Sequence, residues 1–269
     1  MNKWGKLSLG LLLAGGLLAG CGSNNTDNSA AGNSDSGAAA KKLILGTSAD
    51  FPPYEFHKMI DGKDTIVGFD IDIAKDIAAD MGAELEIKDL PFDSLLNELS
   101  SGRVDIVISG LSPTPERAEA VGLSDIYYQA EQAVVVREAD KDKFATMDAL
   151  KGAKLGVQTG SIQEEIAKEI EGAQLTSLGK ISEIVLQLQS NRVDASIMEG
   201  PVAKSFVKNV DGLVIADAVP EVEDDGYVIG VKKGNDELLE QVNTTLKRLQ
   251  DEGKIDEYVA AASELAESE

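Results

Sequence analysis

Cysteine is all but missing: the 269-residue chain has one, Cys21, so no intramolecular disulfide can form. Histidine also occurs once, at His57, in a polar stretch that reads as surface loop rather than as a base. No Walker loop, GxGxxG or metal-ligand cluster is present, which implies no cofactor and no metal. Positive charge is scarce, with 25 Lys and Arg against 47 Asp and Glu and a net charge of −22. Such a polyanion is a poor partner for nucleic acid, and solubility explains most of the charge. Long apolar runs are absent after residue 20, so nothing would hold the body in a bilayer.

The first forty residues carry the compartment signal. Lys3 and Lys6 precede LSLGLLLAGGLLAG (7–20), too short to span a membrane but of the length of a signal-peptide core. The run closes in LAGC (18–21) and resembles a bacterial lipoprotein signal. Cleavage before Cys21 would leave that residue lipidated at the new N-terminus. Residues 22–40, GSNNTDNSAAGNSDSGAAA, contain no large apolar side chain and read as a flexible tether.

From residue 42 onward, short apolar runs alternate with amphipathic segments, the pattern of α/β architecture. Strands are expected at 42–48, 84–90, 104–110, 149–160 and 193–200. Helices are expected at 67–82, 92–102, 161–171, 181–191 and, as the last, 235–253. LxSxRVDxxI occurs at Leu99–Ile108 and again at Leu188–Ile197, each time after an amphipathic segment. Two similar lobes follow from that echo. QAVVVRE (132–138) reads as the crossover strand between them, and AVPEVEDDGYVIGVKK (218–233) as the return. Two crossings make a hinge, and a hinge makes a cleft. The expected division is 1–20 signal, 21–41 tether, 42–133 and 223–269 lobe one, and 134–222 lobe two.

ISGLSPTPERAE (108–119) draws the eye because a strand-like run meets Gly110, Ser112, two prolines and then Arg117. Pro115 and Glu116 read as the first turn of a helix. Such a junction collects backbone N–H groups, hydroxyls and one cation in one place. It suits an anion, above all a carboxylate.

GTSADFPPYEF (46–56), VGFDIDIAKDIA (67–78), SGRVDIVISGLSPTPERAE (101–119), LSDIYY (123–128) and LGVQTGSIQEE (155–165) together resemble the type II periplasmic binding proteins. These are the substrate-binding subunits of polar amino-acid ABC importers. The resemblance implies two Rossmann-like lobes joined by two hinge strands, with a free L-amino acid in the cleft between them. Lipidation at Cys21 matches the Gram-positive form, held to the outer face of the cell membrane only through its lipid. The implied partners are a permease and its ATPase, and the implied state is a monomer.

The same resemblance assigns residues. Arg117 would grip the α-carboxylate, helped by Gly110, Leu111 and Ser112 from lobe one and by the N–H groups of Ser161 and Ile162 from lobe two. Glu199 would take the ammonium, where many relatives carry Asp. Phe51 and Phe92 would wall the side chain. Ser48 stands where histidine or lysine binders carry Asp, so Asp50 and Glu55 are the candidates for the missing negative charge, and Gln158 for a hydrogen bond. TSADFPPYEF with VQTGSIQEE points to a basic amino acid, arginine first, with glutamine and cystine open. Two rivals share the fold: a dehydratase-type enzyme, for which no catalytic constellation is present, and a sensory module. The chain ends in AAASELAESE without a transmembrane or kinase region, which favours a transport subunit.

Overall fold

The computed structural model describes residues 41–222 and 226–268. The signal-like residues, Cys21 and all of the tether but Lys41 lie outside them. Among the described residues, no helix is long and apolar enough to cross a membrane.

The first lobe opens with β1 (Lys42–Thr47), short β2 (Asp50–Phe51) and a hairpin of β3 (Glu55–Ile60) and β4 (Lys63–Val67). It continues through α1 (Phe69–Asp80), β5 (Glu84–Asp89), α2 (Leu95–Ser100), β6 (Ile106–Val107), α3 (Pro115–Ala120) and β7 (Gly122–Leu123). Strand β8 (Tyr128–Gln129) leads out. The second lobe contains β9 (Gln132–Arg137), β10 (Lys154–Gln158), α4 (Ile162–Glu169), β11 (Gln174–Leu178) and α5 (Ile181–Gln189). It ends with β12 (Ala195–Glu199), α6 (Gly200–Asn209) and β13 (Leu213–Ile215). The chain returns through β14 (Gly226–Tyr227), β15 (Gly230–Val231), α7 (Asp236–Asp251) and α8 (Lys254–Glu267).

Each lobe is built on one five-stranded sheet, in the orders β5-β1-β6-β15-β7 and β11-β10-β12-β9-β13. In the first sheet β1 lies between its parallel partners β5 and β6, with antiparallel β15 next to β6; in the second β10 lies between parallel β11 and β12, with antiparallel β9 next to β12. Helices cover the sheets on both faces, so the inner parallel strands β6, β10 and β12 are almost wholly buried, while the edge strands β5 and β11 are only partly so. Leu43, Leu45 and Ile106 pack with Phe69, Ile73 and Ile77 of α1, while Val104 and Val107 pack with Leu95 and Leu99 of α2. The pair β8–β14, with Tyr128 opposite Tyr227, carries the two crossings side by side.

The sequence echo proves to be one structural device used twice. After α2 the chain turns at Gly102 (φ 75°), and after α5 at Asn191 (φ 60°). Asp105 then accepts the N–H of Ile44 at 2.8 Å and donates its own N–H to the Ile44 carbonyl. Asp194 does the same for Lys154, at 2.9 Å. Each aspartate locks the third strand of its sheet to the start of the first.

Four expectations need correction. QAVVVRE is no crossover: as β9 it is an interior strand of the second sheet, antiparallel to β12, and the crossing precedes it. The segment 92–102 starts as a 3₁₀ turn at Phe92–Ser94 before α2. His57 stands on β3 with its ring between Asp64 and Asp89, not in a loop. Helix α7 is not the last, because Gly253, at φ 68°, turns the chain into α8.

Candidate functional site

In an open α/β sheet, loops leave in opposite directions from neighbouring strands at one point, and the gap there receives ligands. The first sheet has that point between the C-terminal ends of β1 and β6, and the second between those of β10 and β12. Ser48, Asp50 and Phe51 follow β1, and Gly110, Leu111 and Ser112 follow β6. Gln158 and Ser161 end β10 and begin α4, and Glu199 ends β12. The topology therefore gathers these candidates at the facing edges of the two lobes.

Gly110, at φ 51°, is the floor between them. A Cβ there would lie 2.8 Å from the Phe51 ring and 3.4 Å from Glu199 Oε1, so only glycine lets both side chains approach. Its N–H donates to Asp70 at 3.1 Å, and the Tyr127 hydroxyl donates to the same carboxylate at 2.8 Å. Leu111 is buried, and its carbonyl accepts the N–H of Val228, tying this loop to the returning chain. The Ser112 carbonyl accepts Arg117 Nη1 at 2.8 Å.

Arg117 occupies the first turn of α3, which Thr114 caps by accepting its N–H. Its Nη2 crosses to lobe two and donates to the Gly160 carbonyl at 3.0 Å, and the guanidinium lies 5.6 Å from the centre of the Phe92 ring. Among the described residues no acid forms an ion pair with it. Burial pulls its pKa down to about 10. Phe92 is thus a support for Arg117.

Across the cleft, Ser161 caps α4, its hydroxyl accepting the Glu164 N–H at 3.1 Å, while Glu164 accepts the Gly160 N–H at 2.9 Å. The Ser161 N–H and hydroxyl both turn back to the Gln158 carbonyl. The Ser161 N–H is therefore spent within its own turn, and Ile162 is the first residue of the helix. Gln158 donates its side-chain N–H to the Gly179 carbonyl at 3.3 Å.

Glu199 is only 1 % exposed, and its Oε2 has no hydrogen-bond partner. Burial raises its carboxyl to about 8, with Asp70 adding repulsion and the Tyr227 and Tyr54 hydroxyls working in the other direction. Two more acids lie buried near it. Glu55 accepts the Ser109 hydroxyl at 2.5 Å, and burial, then Asp70, push its carboxyl well up. Asp70 reaches about 6 by burial, held down by Tyr127 and the Gly110 N–H. Ser48 donates its N–H to Ser109 at 3.1 Å, leaving its own hydroxyl oxygen without a partner.

Sequence reasoning missed several residues that organise this cleft. Asp70 sets Gly110, and its only sequence signal is an acid on the apolar face of α1. Gln163 donates to Gln132 at 2.8 Å, linking α4 to the start of β9. Across the mouth of the cleft the lobes are bridged by Arg117 to Gly160, Asp50 to Ser182 at 3.0 Å, and Lys180 to Asp89 at 2.8 Å, while Lys208 to Glu267 and Asn209 to Ala266 join α6 of lobe two to α8 of lobe one.

Residues 43–261 match the bacterial extracellular solute-binding proteins, family 3. The chain is 40% identical over 263 residues to the arginine-binding extracellular protein ArtP of Bacillus subtilis (strain 168), covering 95% of this chain and 96% of ArtP. A solved amino-acid ABC transporter substrate-binding protein of Streptococcus pneumoniae, bound to L-arginine, is 39% identical with a TM-score of 0.83, covering 85% of this chain and 97% of that one. An ancestral arginine-binding protein bound to glutamine is 38% identical with a TM-score of 0.74, covering 81% and 95%.

Proposed function

The chain belongs to the bacterial extracellular solute-binding proteins of family 3, and on that premise we propose that it captures a free L-amino acid, arginine first, for an ABC importer. One observation carries the reading. An arginine with no acid paired to it and a buried carboxylate with an orphaned oxygen flank the segment Gly110–Ser112 from different lobes.

The mechanism is closure of a hinge. The ligand enters the open cleft on lobe one, and Arg117 aligns its carboxylate bidentately. Lobe two then brings Ile162 and Glu199, and the ammonium neutralises a carboxylate that burial alone would keep protonated. Contacts made only in the closed form shift the equilibrium toward it. A permease reads the closed form, and its ATPase supplies the energy. The protein itself performs no chemistry in this reading, works as a monomer and hangs from the membrane by a lipid on Cys21. In this reading lobe one comprises 42–131 and 223–269 and lobe two 132–222, the expected boundary at 133/134 moving because β9 begins at Gln132. Glutamine stands second, since the ancestral arginine-binding relative also took it.

A thermal-shift screen against the twenty amino acids, ornithine, citrulline and cystine tests this. Arginine is expected to give the largest rise in melting temperature. No shift with any free L-amino acid would overturn the reading.

A further inference from the structure

Asp50 lies in the seam between the lobes, just beyond the C-terminal end of β1. Its Oδ2 accepts the N–H of Ser182 at 3.0 Å and the Ser182 hydroxyl at 3.3 Å. Ser182 is in the first turn of α5, whose N-cap residue, Lys180, provides no side-chain cap. The opening N–H groups of a helix need an acceptor, and a carboxylate also favours the positive end of the helix dipole. Here lobe one supplies that acceptor to a helix of lobe two. The cap spans the cleft, from lobe one to lobe two.

The other oxygen is the unexplained part. Asp50 Oδ1 is buried and has no hydrogen-bond partner in the protein. Lys180, the nearest cation on α5, is bonded to Asp89 at 2.8 Å, and Asp89 also takes the Ala49 N–H and His57. The other acid expected to serve the side chain, Glu55, is turned into the core beside Asp70 and Ser109. Gln158 donates to Gly179, so it and Asp50 converge on one turn, residues 179–182. Burial raises the Asp50 carboxyl, with the Ser182 N–H, nearby Lys180, the Ser182 hydroxyl and the Ile181 N–H working in the other direction. A buried charge that lacks a partner calls for a cation.

We propose that Asp50 determines the charge of the side chain that this cleft accepts: Oδ1 takes a ligand cation while Oδ2 caps helix Ile181–Gln189. Recognising a cationic side chain and closing the cleft are then one event. A neutral side chain leaves Oδ1 buried and unpaired, which disfavours the same closed form. This rests on the amino-acid-binding reading above and adds the residue that selects within that class.

Citrulline is the probe, because it keeps the shape and backbone of arginine but carries no side-chain charge. Calorimetry with both ligands is expected to show wild-type protein preferring arginine by at least about a hundredfold. Asp50→Asn keeps an acceptor for Ser182 and removes the charge. Arginine should weaken at least about tenfold and citrulline less than about threefold, so the preference collapses. Asp50→Ala removes the cap as well and should weaken both ligands. Residual citrulline binding in Asp50→Asn shows that the variant is folded and still takes amino acids. An unchanged arginine-to-citrulline ratio in Asp50→Asn, or a wild-type protein that does not discriminate, overturns the role of Asp50 and leaves the amino-acid reading standing. Wild-type protein that binds no amino acid at all overturns both.

Discussion

Arg117 shows how much a single side chain can commit a site. Its guanidinium rests on Phe92 and gives N–H groups to two main-chain carbonyls, one in each lobe, yet no acid balances its charge. Arg117→Ala should weaken arginine binding by about 3–5 kcal/mol, because the ligand carboxylate would be enclosed without its partner. Arg117→Lys should recover part of this, since an ammonium cannot make the bidentate pair. Calorimetry checks both, and an affinity near wild type in Arg117→Ala contradicts the role. Glu199 makes the complementary prediction about pH. Its carboxyl, about 8 in the folded protein against 4.5 ordinarily, holds more protons folded than unfolded between those values. Stability of the ligand-free protein from this group is therefore full below pH 4.5 and declines as pH rises toward 8. Binding an ammonium needs the ionised form, so below about pH 8 capture should release a proton and weaken as pH falls. Titrations at pH 7 in buffers of different ionisation enthalpy measure that proton, and Glu199→Gln should abolish its release. The elements that carry Arg117 and Glu199 were readable from the sequence, since prolines mark the start of α3 and an apolar run ending at Glu199 marks β12, while their proposed roles rest on the family resemblance. Asp70, Gln132 and Ser182 were not, since each acts through a partner far along the chain.

The elements that the sequence disclosed are those whose burial imposes a period on it. β1, β10 and β12 read as apolar runs, and α1, α4 and α5 as amphipathic stretches, because both faces of each sheet are covered. The β3–β4 hairpin escaped because most of HKMIDGKDT is exposed, leaving no burial pattern to read. Helix α8 escaped because Gly253 looks like a stop and AAASELAESE is rich in small and acidic residues. It is nevertheless anchored, with Tyr258 donating to Asp76 at 2.6 Å and Asn209 of α6 donating to the Ala266 carbonyl at 3.0 Å. The repeated aspartates give a test at this level. Asp105→Ala and Asp194→Ala each leave a strand-end N–H without its acceptor and should cost about 1–3 kcal/mol in denaturant unfolding. Lying in different sheets, they should be additive within about 0.5 kcal/mol. A double variant no less stable than either single one would contradict the separate work assigned to them.

Taken whole, the molecule is two sheets held at two crossings and drawn together by few bridges. Among those across the cleft, Lys180–Asp89 is a partly exposed ion pair, with side chains 27% and 31% accessible. Such a pair contributes about 0–1 kcal/mol and is screened by salt. Lys180→Met should therefore lower arginine affinity less than about fivefold, and the difference should vanish at high ionic strength. Charge at the rim assists closure, whereas the buried groups decide it. The account stands on a ligand that offers a carboxylate and an ammonium from one carbon. The direct measurement is calorimetry of the wild-type protein with arginine, with agmatine, which lacks the carboxylate, and with 5-guanidinopentanoate, which lacks the ammonium. Both truncated ligands should bind at least about a hundredfold more weakly than arginine. Either one binding as tightly as arginine would contradict a site that holds both ends of the zwitterion.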